Sequence, residues 1–367
     1  MKQRAGLPDI ILFITVLALL SLGIVMVFSS SSVTAFQELG DAYYYLKRQS
    51  MWAAIGMVAL VACMNIDYHL WEQLAGLIMI LSIGALALVL VPGVGRLVSG
   101  SRRWIGLGPV SVQPSEFAKL GLVVFLARYF SRIGPDVKSL FSGTVVPVFI
   151  AGVCALLVLL EPDLGTAICI MGITWFIMAV AGTPWTSLAA LLALAVPAVL
   201  LYARHDPVRM RRLTSFIDPW SDPRDSGFHI IQSLLALGSG GPFGLGLGMS
   251  RQKFHYLPEQ HTDFIFAIIG EELGLIGTGL VLFLYIVVGA RGFRAAFRAP
   301  DTFGSLLAAG ITCMITLQAA MNIAVVTGSM PITGITLPLI SSGGSSLVPM
   351  LAGIGILLNI SRYAQAR

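Results

Sequence analysis

The chain has 367 residues, of which 56% are hydrophobic and only 11% are charged, and its formal net charge is +5. Such a composition is typical of a polytopic membrane protein and argues against an ordinary soluble domain. The four cysteines, Cys63, Cys154, Cys169 and Cys313, lie in predicted helices without a paired spacing, so no disulfide framework or Cys-x-x-Cys metal site is indicated. A Walker A motif, a dinucleotide fingerprint after a strand and a His-x-x-x-His pair are also missing from the sequence, which argues against nucleotide-driven transport and zinc hydrolysis.

Apolar runs long enough to cross a bilayer, about 17–25 residues each, follow one another along the chain. They lie at 8–28, 49–66, 72–92, 115–131, 143–160, 164–181, 185–203, 264–290, 304–327 and 345–361. The first run exceeds the apolar core of a signal peptide and lacks a clear cleavage site, so we predict a permanent helix there. We therefore predict an all-α polytopic membrane protein with ten transmembrane helices. It forms a single integral membrane domain over 1–367, with a large extracytoplasmic loop of about 204–262 between the seventh and eighth helices.

The distribution of basic residues predicts the orientation. When the long 204–262 loop is set aside, the short segments on the side of the two termini carry more Lys and Arg than those on the other side. We therefore expect both termini in the cytoplasm and the long loop outside. The positive charge that remains on the outer side favours an anionic, lipid-linked substrate.

Every segment that joins an odd-numbered helix to the next helix emerges on one face of the membrane, whichever face that is. This face receives most of the unusual chemistry: Arg102-Arg103-Trp104, Glu116 with Lys119, Glu161-Pro162-Asp163, the long loop, and Ser341-Ser342-Gly343-Gly344-Ser345-Ser346. A face that gathers charges, glycine-rich turns and the longest loop is the natural candidate for a catalytic face.

Two interpretations are open for the polar residues around the fourth helix. Glu116, just after Pro114, is typical of a helix start, and Lys119 lies one turn further on the same face, where it can neutralise Glu116. Alternatively, a Lys119 ammonium that faces an outer cavity can bind a phosphate group. Arg102 and Arg103 beside Trp104 are likewise either anchors at the membrane edge or substrate contacts.

Asp263 stands at the mouth of the eighth predicted helix. The helix dipole stabilises a carboxylate there by about 0.3–1 kcal/mol, with Thr262 as a possible cap, and an ionised carboxylate can also act as a general base or a metal ligand. Glu271 and Glu272 lie about 12–13 Å deeper and face other directions, so we expect them to make polar contacts between helices. Residues 228–237, followed by Gly238, predict a short helix on or in the outer leaflet.

Several segments carry a specific resemblance, in order, along nearly the whole chain. They are Gly100 to Ile105 with Gln113 to Lys119, Glu161 to Thr166, Gly244-x-Gly246-x-Gly248 with Met249 to Lys253, Tyr256 to Phe266, Gly270 to Gly274, and Pro331 to Gly334 with Pro338 to Ser346. With these segments the chain resembles the SEDS family of bacterial wall polymerases, whose known members are FtsW, RodA and SpoVE. The 248–253 run and the 270–272 context are closer to FtsW and SpoVE than to RodA.

The resemblance implies a peptidoglycan glycosyltransferase that polymerises lipid II, an undecaprenyl-pyrophosphate-linked disaccharide pentapeptide, on the outer face of the bacterial cytoplasmic membrane, for cell division or cell shape. It implies that Asp263 is catalytic. We expect substrate contacts from Arg102, Arg103, Trp104, Glu116, Lys119, Ser341 and Ser342. An alternative role of Asp263 is to hold a divalent cation, Mg²⁺ or Mn²⁺, and no other cofactor is indicated. The implied partners are a class B penicillin-binding protein and other divisome or elongasome membrane proteins, and no nucleic acid.

Other functions remain open at this point. A lipid II flippase is one, but a transporter usually places its polar site near the midplane with broken helices in both halves, whereas the charges here crowd one face. A noncatalytic scaffold is another, and it would not need Asp263. A RodA-type role in elongation is an alternative to an FtsW- or SpoVE-type role.

Overall fold

A computed structural model describes residues 6–98, 101–107, 110–204, 206–225, 227–253 and 260–364. Gly100 and the 256–259 part of the motif before Asp263 lie outside these residues. Helices dominate the described chain: α1 (Ile10–Leu39), α2 (Tyr44–Asn65), α3 (His69–Leu90), α4 (Pro114–Ile133), α5 (Val146–Leu160), α6 (Leu164–Ala181), α7 (Trp185–Arg204), α8 (Pro207–Ile217), α9 (Phe228–Gly240), α10 (Ile265–Arg298), α11 (Thr302–Val326) and α12 (Leu347–Ala364).

A helix coincides with each predicted apolar run, and α1 and α10 extend well past the predicted ends. Within the described residues, eight helical stretches are long and apolar enough to cross a membrane. They are α1, α3, α6, α7, α10, α11 and the two stretches 141–160 and 344–363 that contain α5 and α12. The prediction of a multi-pass helical membrane protein is therefore confirmed. The count of ten spans stays a prediction, since α2 and α4 are not among these eight stretches.

A small sheet interrupts the helical pattern before α4. Its strands β1 (Gly95–Val98), β2 (Ser101–Leu107) and β3 (Val110–Val112) are antiparallel in the order β1-β2-β3. The prediction of an all-α chain is wrong for this loop. Its strands are only a few residues long, and a search for apolar runs of membrane length passes over the short alternation of Val110-Ser111-Val112.

The buried centre lies around α11 and α12, whereas α7 buries only Leu188 and Ala203 among its described side chains. Close approach of α12 to α2 depends on a small residue, because a Cβ at Gly355 would lie 2.3 Å from the Leu60 carbonyl oxygen. The two ends of the described chain meet, since Gly6 N donates to Arg362 O at 2.9 Å.

The segment between α7 and α10 contains more structure than the sequence analysis predicted. The short predicted helix is confirmed as α9, whereas α8 was not predicted. Helix α10 is broken at Gly274, whose φ of 66° and ψ of −160° belong to a region that only glycine adopts readily.

Candidate functional site

Asp263 lies two residues before Ile265, the first residue of α10, and is half-buried. The Asn322 side-chain amide of α11 donates to both Asp263 O and Ile335 O, each at 2.7 Å. A Cβ at Gly334 would lie 3.6 Å from Asp263 Oδ2, and the φ of Gly334 is +70°. Asp263 is thus packed against residues 331–346, the part of the α11–α12 connection that leads into α12, which we call the α11–α12 loop.

Two predicted serines of the α11–α12 loop bind the residues just before Asp263. Ser341 Oγ donates to Thr262 O at 2.6 Å and accepts from Leu337 N at 2.8 Å, while Ser342 N donates to His261 O at 2.9 Å. The structure therefore brings Ser341 and Ser342 together with Asp263. Because the buried Ser341 hydroxyl is engaged with the backbone, its contact with a substrate stays a prediction.

The predicted pair on α4 is formed, and it is buried. Lys119 Nζ lies 2.8 Å from Glu116 Oε1 and donates to Gln318 Oε1, and Gln318 Nε2 in turn donates to Thr336 O at 3.1 Å. Lys119 is only 1% exposed. Glu116 Oε2 has no hydrogen-bond partner within the described chain. The pair is linked through Gln318 to the α11–α12 loop, and direct contact of either side chain with a substrate stays a prediction.

Arg103 of β2 binds the turn between α5 and α6. Its Nε donates to Glu161 O at 3.1 Å, its Nη2 donates to Pro162 O, and its Nη1 lies 3.7 Å from Asp163 Oδ2. Asp163 is also the N-cap of α6, since its Oδ1 accepts from Thr166 N at 3.0 Å. The sequence-predicted segments around Arg103 and Asp163 are therefore in contact.

The side chains near this turn differ in exposure. Arg102 is exposed and Trp104 is half-buried. Glu161 is fully buried, and neither of its carboxyl oxygens has a hydrogen-bond partner among the residues described. Burial, helped by the Asp163 carboxylate and opposed by Arg103, raises the pKa of Glu161 to about 8. This carboxyl group is therefore largely neutral at pH 7.

Helix α2 supplies residues that the sequence analysis did not select. A Cβ at Gly344 would lie 3.4 Å from Trp52 Nε1 and 3.9 Å from Arg48 Nη2, so both side chains adjoin the α11–α12 loop. The rings of Tyr45 and His261 are 4.4 Å apart. One sequence signal could have identified this part of α2. Arg48 lies next to an apolar run, and charged residues at such positions usually have a function.

The alternative role of Asp263 as a ligand of a divalent cation finds no cluster of metal-binding side chains in the described part of the chain. No group of three or more His, Cys, Asp or Glu side chains there could hold a metal ion. A cation at Asp263 would therefore take its other ligands from backbone carbonyls, water or substrate phosphates, a pattern that is common for Mg²⁺. The cation remains a prediction.

The helices and the polar cluster at the mouth of α10 define a polytopic helical membrane protein with a candidate site at one membrane face. The family model FTSW_RODA_SPOVE, described as "Cell cycle protein", matches residues 10–366, and the chain belongs to this family. The predicted SEDS resemblance is thereby confirmed.

Two relatives match almost the whole chain. "Stage V sporulation protein E" of Bacillus subtilis (strain 168) is 46% identical over 365 residues, which cover 100% of both chains. "Probable peptidoglycan glycosyltransferase FtsW" of Thioalkalivibrio sulfidiphilus (strain HL-EbGR7) is 45% identical over 357 residues, which cover 96% of this chain and 89% of the relative.

Solved structures share the fold. A chain from a study of "structural coordination of polymerization and crosslinking by a peptidoglycan synthase complex" superposes with a TM-score of 0.80 at 34% identity, covering 97% of this chain and 98% of that chain. The Thermus thermophilus rod shape determining protein RodA superposes with a TM-score of 0.72 at 31% identity, covering 97% of each chain. Both structures are similar over nearly the full length, so the helical arrangement is that of this family.

Proposed function

We propose that the protein is a peptidoglycan glycosyltransferase that polymerises lipid II into glycan strands at the outer face of the bacterial cytoplasmic membrane. Family membership and relatives named probable peptidoglycan glycosyltransferase support this function. The observation that carries it is the placement of Asp263: a half-buried carboxylate at the mouth of α10, held through its backbone by Asn322 and flanked by the bonds of Ser341.

The proposed reaction is an inverting glycosyl transfer. Asp263 accepts the proton of the acceptor GlcNAc 4-hydroxyl while that oxygen forms a bond to C1 of the donor MurNAc. The bond from C1 to the pyrophosphate oxygen breaks, and undecaprenyl pyrophosphate leaves with the electron pair. A fixed backbone around Asp263 suits this role, because a general base must stay within hydrogen-bond reach of the proton that it removes.

The leaving pyrophosphate gains negative charge, and nearby cations would stabilise that charge. Of the three cations selected from the sequence, Arg102 on β2 is the exposed one, so we propose it for direct contact with the pyrophosphate. Arg103 and Lys119 already bind groups of the protein, so we propose that they stabilise the pyrophosphate charge at a distance, by electrostatic attraction without direct contact. A divalent cation at Asp263 would supply further charge neutralisation when bound.

The proposed topology has ten spans, with both termini in the cytoplasm and the 204–262 loop outside. The contact between Gly6 and Arg362 supports an even number of spans, because it puts both ends of the described chain on the same side. The proposed partner is a class B penicillin-binding protein, supported by the similarity to a chain of a peptidoglycan synthase complex.

The test is polymerisation of purified lipid II by the purified protein, alone and with its penicillin-binding partner. We expect Asp263→Asn to abolish glycan synthesis while the protein stays folded in the membrane. Asp41→Asn is the matched control, because that partly exposed carboxylate binds Lys47 and the Tyr43 amide, neither of which contacts Asp263 in the bonds described above. An Asp263→Asn rate above about one-tenth of the wild-type rate, a barrier change below ~1.4 kcal/mol, would remove Asp263 from the mechanism. Lipid II transport without polymer would favour a flippase.

The same assay tests the cation. If the reaction requires a divalent cation, we expect excess EDTA to abolish polymerisation and added Mg²⁺ or Mn²⁺ to restore it. Full activity in EDTA would assign Asp263 the role of general base without a metal.

A further inference from the structure

The break in α10 is filled by another part of the chain. Two hydrogen bonds of a continuous helix are missing around Gly274, and residues 241–246 replace them. Leu245 N donates to Glu271 O at 2.9 Å and Gly246 N donates to Glu272 O at 3.0 Å, whereas the amides beyond the break, Leu275 N and Ile276 N, donate to Gly241 O and Pro242 O at 2.9 and 3.2 Å. The segment after α9 is therefore inserted into the hydrogen-bond ladder of α10.

This insertion is necessary if the break lies at membrane depth. Hydrocarbon offers no partners to free N–H and C=O groups, so the broken ladder must be completed by protein. Glycines allow the close approach: a Cβ at Gly244 would lie 2.2 Å from Glu272 O, and a Cβ at Gly240 would lie 1.9 Å from Gly270 O. The inserted segment and the outer half of α10, residues 265–273, thus form one packed unit.

Two carboxylates of that outer half hold the chain that follows the insertion. Glu271 Oε1 accepts from Arg251 N at 2.9 Å, and Glu271 Oε2 accepts from Ser250 Oγ and from Gln252 N at 3.4 Å. Three consecutive residues therefore donate to the two oxygens of one buried side chain. A carboxylate is suited to this arrangement because both of its oxygens accept hydrogen bonds.

Glu272 joins the same segment to α1. Its Oε2 accepts from Ser29 Oγ at 2.6 Å, its Oε1 accepts from Ser250 N at 3.4 Å, and Lys253 Nζ lies 3.6 Å from Oε1. Both Glu272 and Lys253 are buried. We expected interhelical contacts of Glu271 and Glu272, and within the described residues the bond between Ser29 and Glu272 is of that kind. The other contacts bind a loop.

We propose that Glu271 and Glu272 are positioning residues for Asp263: by holding residues 250–253 on the outer half of α10, they fix where that half-helix presents Asp263 to the α11–α12 loop. This inference rests on the proposed polymerase function. The half-helix spans about 12 Å from Ile265 to Leu273, so the carboxylates act at one end of it and Asp263 stands at the other.

Helix α1 braces both ends of this half-helix. Ser29 binds Glu272 at the inner end, and Thr34 Oγ1 accepts from Gln260 Nε2 at 3.0 Å just before the outer end. A loosened inner end would let the half-helix shift relative to the α11–α12 loop. Such a shift would move Asp263 relative to the α11–α12 loop. Activity would then fall although every group that touches a substrate is still present.

The experiment compares Glu271→Gln, Glu272→Gln and Ser250→Ala with the wild type in steady-state lipid II polymerisation, normalised to folded protein. Glutamine keeps the size of glutamate but offers only one acceptor oxygen. We expect each Glu→Gln variant to lower kcat at least about tenfold, since a small displacement of a reacting group costs up to roughly 10²-fold. The KM for lipid II should change much less. Ser250→Ala combined with Glu271→Gln should add little to Glu271→Gln, because both remove the same attachment.

Asp9→Asn is the matched control. The Asp9 carboxylate is also buried and also binds α10, through Arg291 at 2.6 Å, but on the far side of the break at Gly274. We expect this variant to lower the thermal midpoint as the Glu→Gln variants do, while kcat per folded molecule stays close to the wild-type value. Equal kcat losses in Asp9→Asn and Glu271→Gln would show a general structural role and overturn the proposal.

Hydrogen exchange of the protein in lipid nanodiscs gives a second, independent measurement. Glu271→Gln should speed exchange at 244–253 and at 260–264 and leave α12 unchanged, and unchanged protection at 260–264 would overturn the positioning role. If the wild type made no glycan from lipid II, the proposed function would fail, and the exchange result would still decide whether Glu271 and Glu272 order the chain around Asp263.

Discussion

Lys119 and Glu116 form a buried ion pair on α4. Lys119 contacts Glu116 at 2.8 Å and donates to Gln318, and both members of the pair are buried. Removing one charge of such a pair leaves the other uncompensated in a low-dielectric environment, which typically costs about 3–5 kcal/mol. Replacing both charges by neutral groups costs much less. Stability and catalysis can therefore be separated at this pair.

We predict that Lys119→Met lowers the thermal midpoint strongly and that the double variant Lys119→Met with Glu116→Gln recovers most of that loss. If the Lys119 charge also stabilises the leaving pyrophosphate, the double variant stays folded but polymerises slowly. Thermal unfolding in detergent and lipid II polymerisation measure the two effects. Full activity of the stable double variant would give the pair a structural role only.

Glu161 makes the stability of the fold depend on pH. Its folded-state pKa is raised from 4.5 to about 8. As the pH rises from about 4.5 to about 8, the unfolded chain releases a proton that the folded chain retains, so stability falls by up to ~1.4 kcal/mol per pH unit and then levels off. We predict that Glu161→Gln removes this slope, measured as thermal midpoints from pH 5 to pH 9. Parallel pH profiles for the two proteins would contradict the raised pKa.

At the scale of elements, the break in α10 depends on one glycine. A Cβ at Gly274 would lie 2.3 Å from Gly244 N, and the backbone conformation there costs any other residue about 1–3 kcal/mol. We therefore predict that Gly274→Ala lowers stability by at least ~2 kcal/mol and reduces polymerase activity, because the inserted segment 241–246 is displaced.

Gly279→Ala is the control on the same helix. Nothing lies within 4 Å of a Cβ at Gly279, and the residue is helical, so alanine there should be neutral or stabilise by about 0.4–1 kcal/mol. Thermal unfolding of the two variants side by side measures the difference. Similar midpoints for Gly274→Ala and Gly279→Ala would mean that the helix can close over the break.

For the whole molecule, the orientation in the membrane can be measured directly. The four native cysteines are buried, so a single introduced cysteine reports its own accessibility. In right-side-out membrane vesicles, we predict that a membrane-impermeant maleimide labels Arg224→Cys, in the exposed turn between α8 and α9. Lys138→Cys, between α4 and α5, should react only after the vesicles are opened. The reverse pattern would invert the proposed topology.

Local sequence properties determined the class of the protein and the positions of its long apolar helices. Hydrophobic length is a property of a contiguous run, and each predicted run coincides with a helix. Because successive loops emerge on opposite faces of the membrane, the order of the predicted helices also placed Asp263, Ser341 and Ser342 on one face. The structure brings these three residues together. This inference needs only the order of the spans, because each crossing reverses the side on which the chain emerges.

Tertiary structure alone decided the rest, since the partners are distant in sequence. The break at Gly274 exists because residues 241–246 supply the missing hydrogen bonds, and no local pattern in α10 specifies that partner. The buried Lys119 ammonium donates a hydrogen bond to Gln318, which is 199 positions away in the sequence. The carboxylates Glu271 and Glu272 had a predictable depth from helix geometry, but their donors come from a loop whose path only the folded chain shows. The contribution of each of these buried polar contacts to the free energy of folding depends on how far its groups are removed from water and on which partners folding brings to them. The order of residues along the chain does not reveal either of these.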